Sequence, residues 1–391
     1  MVVDCYSIPA KTFCMVCAPH TEFDFAVIGG GLVGAAIAWG LARRRRSVAM
    51  LDEGDIAFRA SRGNFALIWV QSKGGGMSRY ALWTRQSSDA WPQLAEALRI
   101  ETGLDVCLHQ RGGFHLLLSP EEVENRANAL KRLHNQPGMV PFEYHILDHA
   151  QTEKMLPQIG PDVVGASFCP LDGQVNALRL LRALHVGFQR HGGRYFPDRA
   201  VERIEPRGGE FRLHSANVEI SANKIVLAAG LGNAWLAAMV GINTPVRPQR
   251  GQIIVTEKVA PFMNYVVHTI RQTDEGSVMI SDSVEEAGFD ISVGSEVLAV
   301  MADRAIRMFP HLAKLNVVRC WAALRVMPQD GYPIYDQSKA CPGAFIATCH
   351  SGVTLAAAHA LLLAPCIDIG NLSDECLAAF STRRFDVPPS D

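Results

Sequence analysis

The sequence predicts an α/β protein of two domains, and three observations carry that reading. A glycine-patterned strand–turn–helix stands near the front, small-residue strands return late in the chain, and alternating strands fill the stretches between. The length of 391 residues accommodates two packed domains, and 48% hydrophobic against 19% charged residues is the balance of a globular protein with a large core.

The front unit comes first. Phe25 to Ile28 read as an apolar strand that runs into Gly29-x-Gly31-x-x-Gly34 and then a helix through Ala35, Ala36, Ala38 and Leu41. A second strand, residues 47–51, ends in Asp52 and Glu53. Gly29 permits the tight turn, Gly31 lets backbone approach a pyrophosphate, and Gly34 lets helix and strand pack closely. The helix start then offers unpaired N–H groups to phosphate. Asp52 lies 18 residues past Gly34, where a carboxylate accepts from an adenosine ribose; it is preferred to Glu53 because it directly follows the apolar strand. The plainer alternative is a glycine-rich turn in an ordinary βαβ unit. With strand, helix, strand and acid all in order, a Rossmann-like dinucleotide site is the better reading. Arg43 to Arg46 close the helix, where cations offset its dipole.

Composition narrows the partners. A formal charge of −2 and the lack of a basic tract interleaved with aromatics argue against nucleic acid. Ten scattered cysteines suit reduced thiols in a cytoplasmic protein better than a secreted disulfide framework. Residues 1–21 read as a flexible extension without the apolar middle of a signal peptide. Its Cys5, Cys14 and Cys17 fall one thiolate short of a cluster, so no metal site is read. The most apolar run, Val353 to Pro365, is too short to span a membrane and contains His359.

Further blocks follow the fingerprint in order. They are Ala60-Ser61-Arg62-Gly63-Asn64-Phe65, Asp172-Gly173-Gln174-Val175-Asn176, residues 224–230 ending in Gly230, and Pro245 to Gln252. Two more are Trp321 to Ile334, holding Arg325 and Pro328, and Ala347 to Thr354. This series, from about Phe23 to Arg384, resembles the D-amino-acid-oxidase-like flavoenzymes, the group that includes glycine and sarcosine oxidases. The resemblance implies FAD rather than NAD, on a glutathione-reductase-type FAD domain joined to an α+β substrate domain with a mixed or antiparallel sheet. The implied FAD domain takes residues 22–85, 150–240 and 325–391; the substrate domain takes 86–149 and 241–324. A helix starting near Gly352 would aim N–H groups at the flavin, where reduced flavin carries negative charge.

Two stretches narrow the resemblance: residues 62–74, with Trp69 and Lys73, and residues 349–356. They are similar to flavin-bearing β-type subunits of bacterial heteromeric dehydrogenases, the group of opine oxidase, hydrogen cyanide synthase and D-hydroxyproline dehydrogenase. Such a subunit pairs with a larger α-type flavoprotein subunit, often with a small 2Fe–2S ferredoxin-like one. The implied reaction is oxidation of the C–N bond of an amino-acid-derived amine by hydride transfer to flavin. The preferred substrate is an opine-type secondary amine, with peripheral membrane association arising only through partners. A rival from another class is a non-catalytic flavoprotein that serves assembly and electron relay.

The implied FAD contacts are Gly29, Gly31, Gly34, Asp52, Glu53, Ser61, Arg62, Asn64, Gly230, Gly352, Val353 and Thr354. Arg325 is the expected carboxylate anchor, since its planar fork matches a carboxylate in two bonds. His350 is expected to contact flavin or substrate and tune amine protonation. Trp69 and Lys73 are expected near the active face, while Arg250 reads as structural. Ala322, Ala323 and Leu324 stand where some relatives carry a flavin-linking cysteine, so FAD is expected to be non-covalent.

Overall fold

The structure is a computed structural model that describes residues 22–54, 60–216, 218–373 and 375–386. The extension at 1–21, with its three cysteines, lies outside the described residues. The first sheet has eight strands, in the order Ile334–Gln337, Ala344–Thr348, Val218–Leu227, Glu22–Ile28, Val48–Leu51, Arg194–Phe196, with an antiparallel extension from Glu210–Ser215 and Arg203–Arg207. Glu22–Ile28 pairs in parallel with both Val218–Leu227 and Val48–Leu51.

Phe25–Ile28, Ile225–Leu227 and Val48–Leu51 are apolar without a break because both faces are covered there, as parallel sheets require. Phe25, Val27, Val48 and Met50 face one core, shared with the helices Leu32–Arg43 and Ala177–Arg190. Ala26, Ile28, Ala49 and Leu51 face a second core with Phe211 and Leu213. The period of two along each strand therefore feeds two layers at once.

A second sheet is antiparallel, in the order Ile270–Gln272, Ser277–Ile280, Val246–Lys258, Val317–Pro328. A third, of Val266–Val267, Gly113–Leu117, Gly165–Cys169 and His145–Asp148, is mixed. These two sheets share one core with helix Ser295–Met308. The polar run after Ser119 forms helix Pro120–Asn135, capped by the Ser119 hydroxyl at 3.1 Å from the Glu122 amide.

Strand pairing and helix packing divide the chain differently from the expected boundaries at three places. Helix Ser78–Thr102 crosses residue 85 unbroken, and its Trp83, Trp91, Leu94 and Leu98 are buried in the first sheet's core. Strand Gly165–Cys169 pairs with Gly113–Leu117 in the third sheet. Arg325 to Pro328 complete the long strand of the second sheet, paired with residues 246–249. The boundaries drawn from blocks missed these because pairing partners lie far apart in sequence.

Candidate functional site

A cleft of about 900 Å³ runs from the glycine turn to the segment around residue 350. At one end Gly29 has φ +108°, and a Cβ there would strike the Ala228 carbonyl within 3 Å. Only glycine holds that conformation without strain. A Cβ at Gly34 would run into the Gly29 carbonyl, so this position serves close packing behind the cleft rather than lining it. Helix Leu32–Arg43 begins after Gly31 with no acidic residue in its first turn, which keeps its dipole open to an anion.

Two side chains brace this turn. The Asp52 carboxylate accepts from the Gly30 amide at 2.7 Å and the Gly54 amide at 3.1 Å, joining the turn to the end of the second strand. The Ser61 hydroxyl accepts from the Leu32 amide at 2.9 Å, satisfying an otherwise orphaned helix donor. His185, which sequence reasoning missed, donates from Nε2 to the Gly30 carbonyl at 2.7 Å. Burial lowers its pKa, so the ring is a neutral donor. Glu53, Arg62, Asn64 and Gly230 also line the cleft. Asn64 additionally accepts from the Ala66 amide at 2.5 Å, at a turn where Ala66 has φ +70°. Leu178, Trp235, Phe289 and Ile291 form an apolar rim that the blocks did not reveal, because they come from three separate segments.

His350 and Gly352 stand at the other end, where a second cleft of about 320 Å³ adjoins. Val353 and Thr354, expected beside the cofactor, line this second cleft and are almost fully buried. The Thr354 hydroxyl accepts from the Trp69 amide at 3.2 Å and donates to the Leu67 carbonyl at 3.1 Å. Its carbonyl accepts from Ser87 Oγ at 2.7 Å and Trp91 Nε1 at 3.1 Å, so the long helix clamps the turn. The continuous helix begins at Ala356 rather than near Gly352; a helical bond from the Leu355 amide to the Ser351 carbonyl at 3.0 Å leads into it. Pro365 brings no N–H to the ladder, and the preceding His359–Leu363 widens to a π turn.

The second cleft gathers Arg325, Lys73, Trp69, His268 and His350. Arg325 donates to the Arg250 carbonyl at 3.0 Å and the Ser283 carbonyl at 2.9 Å, which fixes its fork without neutralising it. Burial, followed by the charges of Lys73 and Arg325, holds the His350 pKa well below its ordinary value. A neutral imidazole results, so His350 does not titrate near pH 7 as the sequence suggested. Burial pushes Lys73 down to about 8. Arg250 itself is structural: its side chain bridges Glu285 at 2.7 Å and Asp290 at 2.5 Å.

Beneath Trp69 and Lys73 lies a buried polar network. Asp172 accepts from the Val70 amide at 2.5 Å and from Gln71 Nε2 at 2.6 Å. Gln71 Oε1 in turn accepts from Arg126 at 2.7 Å and Ser167 at 2.5 Å. Of the described cysteines, Cys349 lines the long cleft, and burial pushes its thiol up to about 12. Cys320 lines neither cleft. No helix among the described residues is long and apolar enough to cross a membrane.

The long cleft fits an adenine dinucleotide: a crowded glycine turn, an acid-free helix start, and a trough reaching a second, cation-lined pocket. Kinship with known proteins points the same way. The family described as FAD dependent oxidoreductase matches residues 24–365. The chain is 48% identical over 364 residues to an opine oxidase subunit of Agrobacterium tumefaciens (strain Ach5), covering 93% of this chain and 98% of that one. It is 45% identical over 370 residues to the Rhizobium meliloti protein of the same name, covering 95% and 100%. Among solved structures, glycine oxidase from Geobacillus kaustophilus superposes with a TM-score of 0.83 at 25% identity, over 92% of this chain and 98% of that one. The chain therefore belongs to the FAD-dependent oxidoreductase family whose members include these amine-oxidising enzymes.

Proposed function

We propose that this protein oxidises the C–N bond of an opine-type secondary amine derived from an amino acid. The observation that carries this reading is the Arg325 fork, braced by two carbonyls and turned to a pocket that opens beside His350. A guanidinium in that setting anchors a substrate carboxylate in two parallel bonds. Bound FAD supplies the hydride acceptor for the carbon next to nitrogen, and the imine product is hydrolysed by water. Gly29, Gly31, Asp52, Glu53, Ser61, Arg62, Asn64, Gly230 and Gly352 hold the cofactor non-covalently, with Gly34 behind them. The turn at Val353 and Thr354 shapes the wall between cofactor and substrate. His350, neutral and half-buried, contacts the amine without adding a competing charge.

The relatives named as opine oxidase subunits support assembly into a complex. We take its partners to be a larger flavoprotein subunit and a small 2Fe–2S ferredoxin-like subunit. Anaerobic titration of the FAD-loaded protein with octopine or nopaline tests the reaction. Bleaching of the flavin band is expected. A flavin that stays oxidised with every secondary amine acid would sink the catalytic reading and leave electron relay.

A further inference from the structure

Two cations share the substrate cleft, and neither forms an ion pair among the described residues. Arg325 is held by backbone carbonyls alone, and the Lys73 ammonium has no hydrogen-bond partner among those residues. Half-burying an ammonium without a counter-charge costs stability unless a ligand supplies the charge. The other acids nearby are otherwise engaged. Asp282, on the cleft wall, lies 3.7 Å from Arg304, and Asp172 is wrapped by the amides of Val70 and Gln71.

The fold also holds the lysine's segment firmly. The Lys73 amide donates to the Val70 carbonyl at 3.0 Å, closing a turn. That turn is fastened by Thr354 to the Trp69 amide and by Asp172 to the Val70 amide. The ammonium is thus carried on backbone pinned from two sides, as preorganised recognition requires. Burial lowers its pKa to about 8, which still leaves the ammonium charged at neutral pH.

We infer that Lys73 anchors a second carboxylate, so that with Arg325 it selects secondary amines flanked by two carboxylates. This inference rests on the reaction proposed above, whose opine substrates carry carboxylates on both sides of the amine, and assigns the residue that reads the second one. Arg325 takes one carboxylate in its fork, Lys73 takes the other as a point charge, and the amine nitrogen lies between them. A substrate with a single carboxylate satisfies one cation and leaves the second uncompensated, which is discrimination by an unpaired charge.

Calorimetric binding to the FAD-loaded full chain decides this, with two non-reacting probes. Thiodiacetate carries two carboxylates about a sulfur that stands for the amine; (methylthio)acetate carries one. The wild-type protein is expected to bind thiodiacetate at least about tenfold more tightly. Lys73→Met should bring the two probes within roughly threefold of each other, and Lys73→Arg should restore a preference. A Lys73→Met protein that keeps the wild-type preference, or loses both probes equally, overturns the inference. So does a wild-type protein that binds both probes alike. Flavin bleaching by octopine keeps the two readings apart. If the wild-type flavin bleaches while Lys73→Met retains the preference, the Lys73 role alone falls; if nothing bleaches, the reaction falls while the probes still report on Lys73.

Discussion

The Asp172 carboxylate receives the Gln71 side-chain amide at 2.6 Å, and neither residue reaches solvent. The same carboxylate receives the Val70 backbone amide, so one acid holds up the floor under Trp69 and Lys73. Burial pushes this carboxyl up to about 7. Asp172→Ala strands these donors in the interior and is expected to cost about 3 kcal/mol. A urea midpoint that moves by less than roughly 1 kcal/mol equivalent would show that the network is dispensable.

Arg325→Met removes the fork and leaves the carbonyls of Arg250 and Ser283 without it. We expect kcat/KM for the amine acid to fall at least about a hundredfold, with most of the loss in substrate affinity. Arg325→Lys should recover only a small part, because an ammonium cannot serve both carbonyls and a carboxylate in one plane. Stopped-flow flavin reduction against substrate concentration separates affinity from rate. Unchanged saturation in Arg325→Met would place the carboxylate elsewhere.

The glycine turn gives a cofactor test. Gly34→Val drives a side chain into the Gly29 carbonyl, and we expect colourless or insoluble protein. Gly31→Ala is gentler, bringing a methyl to 2.8 Å from the Ser61 hydroxyl, and should weaken FAD retention by about tenfold. The ratio of flavin absorbance to protein absorbance after dialysis reads both outcomes. Full flavin content in Gly34→Val would contradict the packing argument.

Acid stability follows from His359. It is fully buried with Nε2 on the Tyr335 hydroxyl at 2.7 Å, and burial holds its pKa down at about 3. The unfolded imidazole takes up a proton below its ordinary 6.5, while the folded one does so only near 3. Its neutral burial therefore supports the fold fully above pH 6.5, and that support is lost as pH falls toward 3, by up to about 1.4 kcal/mol per pH unit. Asp172 works in the opposite sense. Its raised pKa makes the protonated form a stabiliser below about 4 that is lost as pH climbs to 7. Urea midpoints between pH 7 and pH 5 should fall less steeply in His359→Gln than in the wild type. An unchanged slope would assign the acid sensitivity to other groups.

The dinucleotide turn was legible because its constraints are local: glycine spacing, an apolar strand and a terminal acid sit within about thirty residues. The position of Arg325 in the second cleft was legible through its block. What escaped depends on contacts across the chain. His185 reaches Gly30 over 155 positions, and Phe289 meets the cleft from the loop that follows Ser277–Ile280. The neutrality of His350 comes from its burial with Lys73 and Arg325, which no local pattern records. Helix Ser78–Thr102 overran the expected boundary because its apolar face belongs to the first core, a choice its own residues do not announce.

Arg250 has a mechanical meaning. Its carbonyl seats Arg325, while its guanidinium grips Glu285 and Asp290 on the loop that carries Phe289 and Ile291 to the mouth of the long cleft. Arg250 therefore ties the position of that loop to the strand that seats Arg325. Any displacement of the loop would reach the guanidinium of Arg325 through this residue.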